Sequence, residues 1–180
     1  MSLYFIALIP PEGLSAKIRA LKLEIAEKYG VKHALKLPAH ITLQIPFRIP
    51  DENESGLLEL LHDFAAKQHR FSIKISGFGK FSRRVIFVDV DTKQPVIELW
   101  ERLQKLLSTN LDLKDHEKTS TIHPHFTLAS RDLDYRVFPI AWADFKDREF
   151  KDSFQAKSIS LLKHNGKSWD IFKEFEFAKL

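Results

Sequence analysis

His40-Ile41-Thr42-Leu43 and His125-Phe126-Thr127-Leu128 are two copies of one tetrapeptide, 125 − 40 = 85 residues apart in a chain of 180. The chain has 8 His, 6 Thr and 23 Leu, so composition alone produces H-x-T-L about 8 × (6/180) × (23/180) ≈ 0.03 times. Both copies follow a proline closely, Pro38 and Pro124, and both stand in apolar, β-prone surroundings. In a strand, residues i and i+2 share a face. His40 and Thr42 therefore point together, with Gln44 beyond them, while Ile41, Leu43, Ile45 and Phe47 face a core. His125 and Thr127 repeat the pattern, with Phe126 and Leu128 opposite. Each strand offers one surface an imidazole, which exchanges protons near neutral pH, and a hydroxyl, which can donate to a phosphoryl oxygen. A single strand histidine reads most simply as a hydrogen-bonded structural residue. Two, presented alike in each half, suggest paired acid–base chemistry.

Leu3 to Ile9 reads as a buried strand stopped by Pro10-Pro11. Leu14, Ile18, Leu21 and Ile25 then recur at helical spacing up to Gly30. After the first histidine strand, Leu57, Leu58, Leu61, Phe64 and Ala65 mark a second helix, and Phe71–Ile75 and Val85–Val90 two strands. Gly77–Ser82 reads as a turn or loop. Pro95 opens a helix with Val96, Leu99, Leu103 and Leu106 on one side. Residues 112–121 form a polar loop leading to the second histidine strand. Asp134–Asp147 reads as a helix that Pro139 breaks or kinks. Two strands, Ala156–Leu162 and Trp169–Phe177, are joined by a hairpin at Asn165-Gly166. The halves read alike from each motif onward, with the N-terminal strand and helix completing the second. The expected fold is α+β: a duplicated bilobal domain over residues 1–180, its mainly antiparallel sheets lining a central groove and its helices outside.

Hydrophobic residues make up 44% of the chain, with 15 Phe, enough for a sizeable core. The net charge of +4 suits an anionic ligand without demanding one. No cysteine is present, which excludes disulfides, a thiolate nucleophile and Cys-ligated metal. No apolar run reaches membrane length, so a cytoplasmic protein is the default expectation, and a monomer the default oligomeric state. Walker, G-x-S-x-G and glycine-rich phosphate-loop motifs are missing, so nothing supports ATP use. His123 and His125, with His116 nearby, could suggest a metal site, but Pro124 interrupts the strand and no carboxylate cluster joins them. His33, His62 and His69 flank or occupy helices and read as exposed. Phe5, Phe47, Phe81 and Trp169 are candidates for stacking on a base. Lys80, Arg83 and Arg84 form a basic cluster that fits either a solvated turn or phosphate contact. Lys163 and His164 precede the hairpin and are candidates for the groove mouth.

These motifs resemble those of the two-histidine phosphoesterase superfamily, whose signature is a pair of H-x-[ST]-hydrophobic segments in a duplicated α+β fold. Ala39–Leu43 and Pro124–Ala129 carry the resemblance, supported by the strands Tyr4–Leu8 and Val85–Val88. The branch most similar is the bacterial 2′-5′ RNA ligase-like one, which includes 2′,3′-cyclic phosphodiesterases. The resemblance implies a catalytic set of His40, Thr42, His125 and Thr127, with no metal and no cofactor. It implies RNA termini or small cyclic nucleotides as partners. Phe5, Phe47, Arg84 and Arg131 are the expected substrate contacts. An Arg often follows the second motif directly in this family; here Ser130 intervenes before Arg131. The implied reaction is hydrolysis of a 2′,3′-cyclic phosphodiester to a 2′-phosphate, with reversible 2′-5′ ligation as a side activity. In-line displacement puts the attacking and departing oxygens on opposite sides of phosphorus, which suits two histidines on opposite walls. A rival reading is a non-catalytic RNA- or nucleotide-binding protein using the same groove.

Overall fold

In the computed structural model, which describes residues 1–179, the apolar opening run forms β1 (Ser2–Leu8) near the middle of a sheet. Tyr4 to Leu8 are all buried because both faces of this strand are covered. Tyr4, Ile6 and Leu8 join the main core. Phe5 and Ala7 pack with Leu162 in a small cluster on the other face. α1 (Glu12–Tyr29) follows the proline pair and ends at Gly30, whose φ of 71° closes the helix through its N–H to the Ala26 carbonyl. A short 3₁₀ turn, His33–Lys36, leads into β2 (Ile41–Ile49). Then come α2 (Glu54–Ala65), β3 (Phe71–Phe81), β4 (Val85–Val90), α3 (Lys93–Asn110) and β5 (His125–Ala129). α4 (Phe138–Phe145), β6 (Lys151–Ala156), β7 (Ser158–His164) and β8 (Trp169–Glu176) complete the described chain.

The strands make two four-stranded antiparallel sheets, ordered β2-β1-β7-β8 and β5-β4-β3-β6, so the fold is α+β as expected. Each histidine strand is a sheet edge. Each is also reached by the same connection: an inner strand, a helix, then the histidine edge, as β1-α1-β2 and as β4-α3-β5. One continuous apolar core joins the two sheets and the helices.

Several expectations change. Gly77–Phe81 is not a loop but the second half of β3. One extra residue is accommodated between Ile75 and Phe78, where Gly77 adopts φ 73°, and the turn shrinks to Ser82–Arg84. Pro139 does not break a helix. It sits in the first turn of α4, where its missing N–H has no helical partner to lose. β6 has no counterpart among the expected strands: Lys151, Ser153 and Gln155 are exposed while Phe154 and Ala156 are buried, a half-buried pattern too short to stand out. In α3 the buried stripe ends on Leu107 rather than Leu106. In β2 two register shifts against β1 re-phase the strand. Gln44 therefore turns inward to donate to the Glu117 carbonyl (2.7 Å), instead of lying beyond Thr42, and Ile45 is only half-buried.

Gly79 lies opposite Phe87, and a Cβ there would come to 2.4 Å from the Phe87 ring. Phe87 is itself buried between Phe81 and His125, so the ring has little room to yield. Gly79→Ala is expected to cost about 1–3 kcal/mol of stability by overpacking. Urea unfolding checks this, and an unchanged midpoint would mean the ring moves freely.

Candidate active site

The two histidine edges lie against each other, and a cleft of about 510 Å³ opens beside them. His40, Thr42 and Thr127 line it, so both motifs reach one cavity. His125, two residues before Thr127 on β5, is not itself among the cleft-lining residues. Its ring packs edge-on to Phe81 (4.9 Å between centroids) and tilted against Phe87 (5.0 Å, 55°). Phe5 holds His40 at the same separation and angle, 5.0 Å and 55°. Each imidazole thus rests on a phenylalanine from the inner strand beside it, β1 or β4.

Each is also tied to backbone in the same way. His40 Nδ1 lies 2.8 Å from the Pro38 carbonyl oxygen, and His125 Nδ1 lies 2.5 Å from that of His123. A carbonyl only accepts, so Nδ1 carries the proton in both rings and Nε2 is left to give or take one. Burial pushes the His40 imidazole down to about 4, with the charges of Lys22 and His125 adding to the effect. Burial also lowers His125; the His123 ring adds to this, while the His123 carbonyl and Asp89 oppose it. Asp89 pairs with His125 in the β4–β5 register, and its carboxylate accepts from His123 Nε2 at 3.1 Å.

Of the expected substrate contacts, Phe5 and Arg131 line the cleft. Phe47 does not: it is wholly buried against Tyr4, on the core face that strand alternation gives it. Arg84 is exposed on the β3–β4 turn and is not a cleft residue. His164 reaches the cleft, while Lys163 turns away to pair with Glu54. His62 and His69 are exposed, but His33 is half-buried in the cleft wall. Trp169 lines the cleft and meets Phe5 edge to face at 4.7 Å, and Phe81 backs His125 instead of facing the cavity. Lys22, Lys36 and Lys167 also line it, and the sequence pattern does not single them out. Lys22 has a signal all the same: it continues the Leu14, Ile18 spacing as a charged residue in an apolar stripe. Among the described residues the cleft wall holds four Lys or Arg side chains and no Asp or Glu, and no three His, Asp or Glu groups converge on a metal position. Such a wall favours an anionic occupant.

Fold and site together define a two-histidine protein of the phosphoesterase kind. The chain belongs to the 2′-5′ RNA ligase superfamily, whose family model matches residues 10–168. A Bacillus cytotoxicus protein called "putative phosphoesterase" is 25% identical over 181 residues, covering 97% of this chain and 96% of the relative. A Geobacillus kaustophilus protein of the same description is 26% identical over 176 residues, covering 96% and 94%. Among solved structures, TT0787 of Thermus thermophilus superposes with a TM-score of 0.68 at 20% identity over 98% of both chains. E. coli LigT complexed with 3′-AMP superposes with a TM-score of 0.62 at 17% identity over 99% of both. These structural likenesses show the fold. No helix among the described residues is long and apolar enough to cross a membrane.

Burial of His40 makes stability depend on pH. The unfolded chain takes up a proton near 6.5, whereas the folded ring resists until about 4. Below 6.5 the unfolded state therefore binds more protons and stability falls, by up to about 3 kcal/mol at pH 4. Above 6.5 this contribution is fully present. Urea midpoints measured at pH 7 and pH 4.5 should fall less in His40→Gln than in wild type; equal losses would show that His40 titrates normally.

Proposed function

We propose that this chain is a metal-independent phosphoesterase that opens 2′,3′-cyclic phosphodiesters, on RNA ends or small nucleotides, to 2′-phosphates. The observation that carries this reading is the matched pair of imidazoles, each with Nδ1 tied to the carbonyl two residues earlier and Nε2 free. A ligand-binding groove has no need of two rings held in one tautomer, which disfavours the non-catalytic alternative. In the reaction a water oxygen bonds to phosphorus while the bond from phosphorus to O3′ breaks. One Nε2 takes the water proton and the other ring gives its proton to O3′. The Thr42 and Thr127 hydroxyls donate to the non-bridging oxygens, and Arg131 supplies positive charge at the cleft wall. With a 5′-hydroxyl in place of water, the same forward steps join a 2′-5′ linkage, and run backwards they cleave it. We read residues 1–180 as one domain of two pseudo-symmetric lobes, each supplying one half of this set.

His40→Ala and His125→Ala should each lower turnover of a 2′,3′-cyclic nucleotide by about 10²–10⁴-fold while leaving the fold intact. The assay is run after dialysis against EDTA and should not respond to added divalent ions. A folded alanine variant with wild-type rate, or strict metal dependence, would sink the reading.

Thr42→Val and Thr127→Val keep the β-branched shape and remove only the hydroxyl. Each should lose about 1.5–3 kcal/mol of transition-state stabilisation, the scale of a charge-assisted hydrogen bond. Measured kcat/KM unchanged in both variants would remove the threonines from the phosphate site.

A further inference from the structure

Lys22 stands on the buried stripe of α1 with Leu14, Ile18 and Ile25, and only 3% of it is exposed. Its Nζ donates to the carbonyls of Ala34 and Leu37, both at 3.1 Å, and it lines the cleft with His40. Among the described residues no carboxylate pairs with it. An ammonium buried without a counter-charge is costly, and a methionine or leucine would fill an apolar stripe more favourably. The two carbonyls belong to the 3₁₀ segment that leads through Pro38 to His40. The amide end of that segment is held by Asp132, whose carboxylate accepts from the backbone N–H groups of Lys32 (2.7 Å) and His33 (2.9 Å).

The charged groups around this point are mostly cationic. Arg19 comes from α1, His33 and Lys36 from the 3₁₀ turn, His125 from β5 and Arg131 from the segment after it. His164 and Lys167 come from the β7–β8 hairpin. Asp132 is the carboxylate near the turn, and it is engaged by amides. His125, by contrast, has a carboxylate opposite it in register, Asp89, which also receives His123 Nε2 and Lys93 Nζ.

Resting on the phosphoester reading, we propose that Lys22 is a positioning residue. It fastens the turn that orients His40, and its fixed positive charge adds to burial in holding that ring in its proton-accepting form. The two histidines then have separate tasks: His40 takes the proton from water, and His125, the register partner of Asp89, delivers one to the departing oxygen. A cation beside an imidazole disfavours the imidazolium. Burial holds the Lys22 ammonium down to about 8, so it is still mainly charged at neutral pH.

Three substitutions separate its roles. Lys22→Gln keeps amide donors for the Ala34 and Leu37 carbonyls without the charge, Lys22→Met loses both, and Lys22→Arg keeps both. The His40 ring is followed by NMR titration, and kcat/KM for a 2′,3′-cyclic nucleotide is followed against pH. In Lys22→Gln and Lys22→Met the His40 titration and the acid limb of the rate should move up by about one pH unit. The alkaline limb should stay, and Lys22→Arg should restore the wild-type profile. A His40 titration unmoved in folded Lys22→Gln overturns the proposal, since a merely structural lysine would leave it there. The NMR arm needs no turnover. Absence of turnover in wild type therefore defeats the phosphoester reading, whereas an unmoved titration defeats the role of Lys22.

Discussion

The bond from each imidazole Nδ1 to the carbonyl two residues earlier is the constraint on which the site depends. It fixes the tautomer, and it also fixes the direction of Nε2, because the ring can turn only about the axis that bond leaves free. A proline stands in each approach, Pro38 or Pro124, and restricts the backbone of the residue before it, Leu37 or His123. The ring face must then be supported. Phe5 and Phe87, on the inner strands β1 and β4, do this with equal geometry. That support in turn explains Gly79: the Phe87 ring can sit against β3 there only where the facing residue has no side chain.

The cleft survives only if the two edges stay in register with one another, and α1 links them. It connects β1 to β2 in one sheet and packs against β5 of the other. At its C-terminal half, Glu24 receives both arms of Arg148 (3.0 and 2.8 Å), while Arg148 and Lys28 also reach Asp144 on α4. The Glu24 carboxyl is held at about 2 by Arg148 first and Lys28 next. Single exposed ion pairs contribute little, but a network with a bidentate guanidinium, stacked on the Phe145 ring at 4.2 Å, has more orienting power than its pairs taken singly.

What was legible in the sequence was whatever alternates or recurs. The repeated H-x-T-L placed both edges, and the apolar stripes placed α1, α2 and α3. What was hidden depended on partners distant in the chain. β6 needs β3 beside it to be a strand at all. Gly77–Phe81 carries glycines that read as a loop, yet one permits a bulge and the other a ring packed overhead. Gln44 could be placed only by counting residues through the β2 shifts, which depend on pairing with β1. Arg131 comes one place later than the family pattern and still lines the cleft.

Lys22 shows why a charge inside an apolar pattern carries more information than its neighbours. Helical spacing marks the position as buried, and burial of an ammonium without a carboxylate is unfavourable unless other groups receive it. Here two carbonyls do so, and they belong to the segment that orients His40. The same burial that depresses the lysine depresses the imidazole, so the two groups reinforce each other only while the cleft excludes water. An anionic phosphate entering between the walls would partly neutralise both effects, raising the affinity of each ring for a proton as the substrate docks. In the proposed reaction, acid–base readiness would therefore be set by the charge of the ligand as much as by the residues that line the cleft.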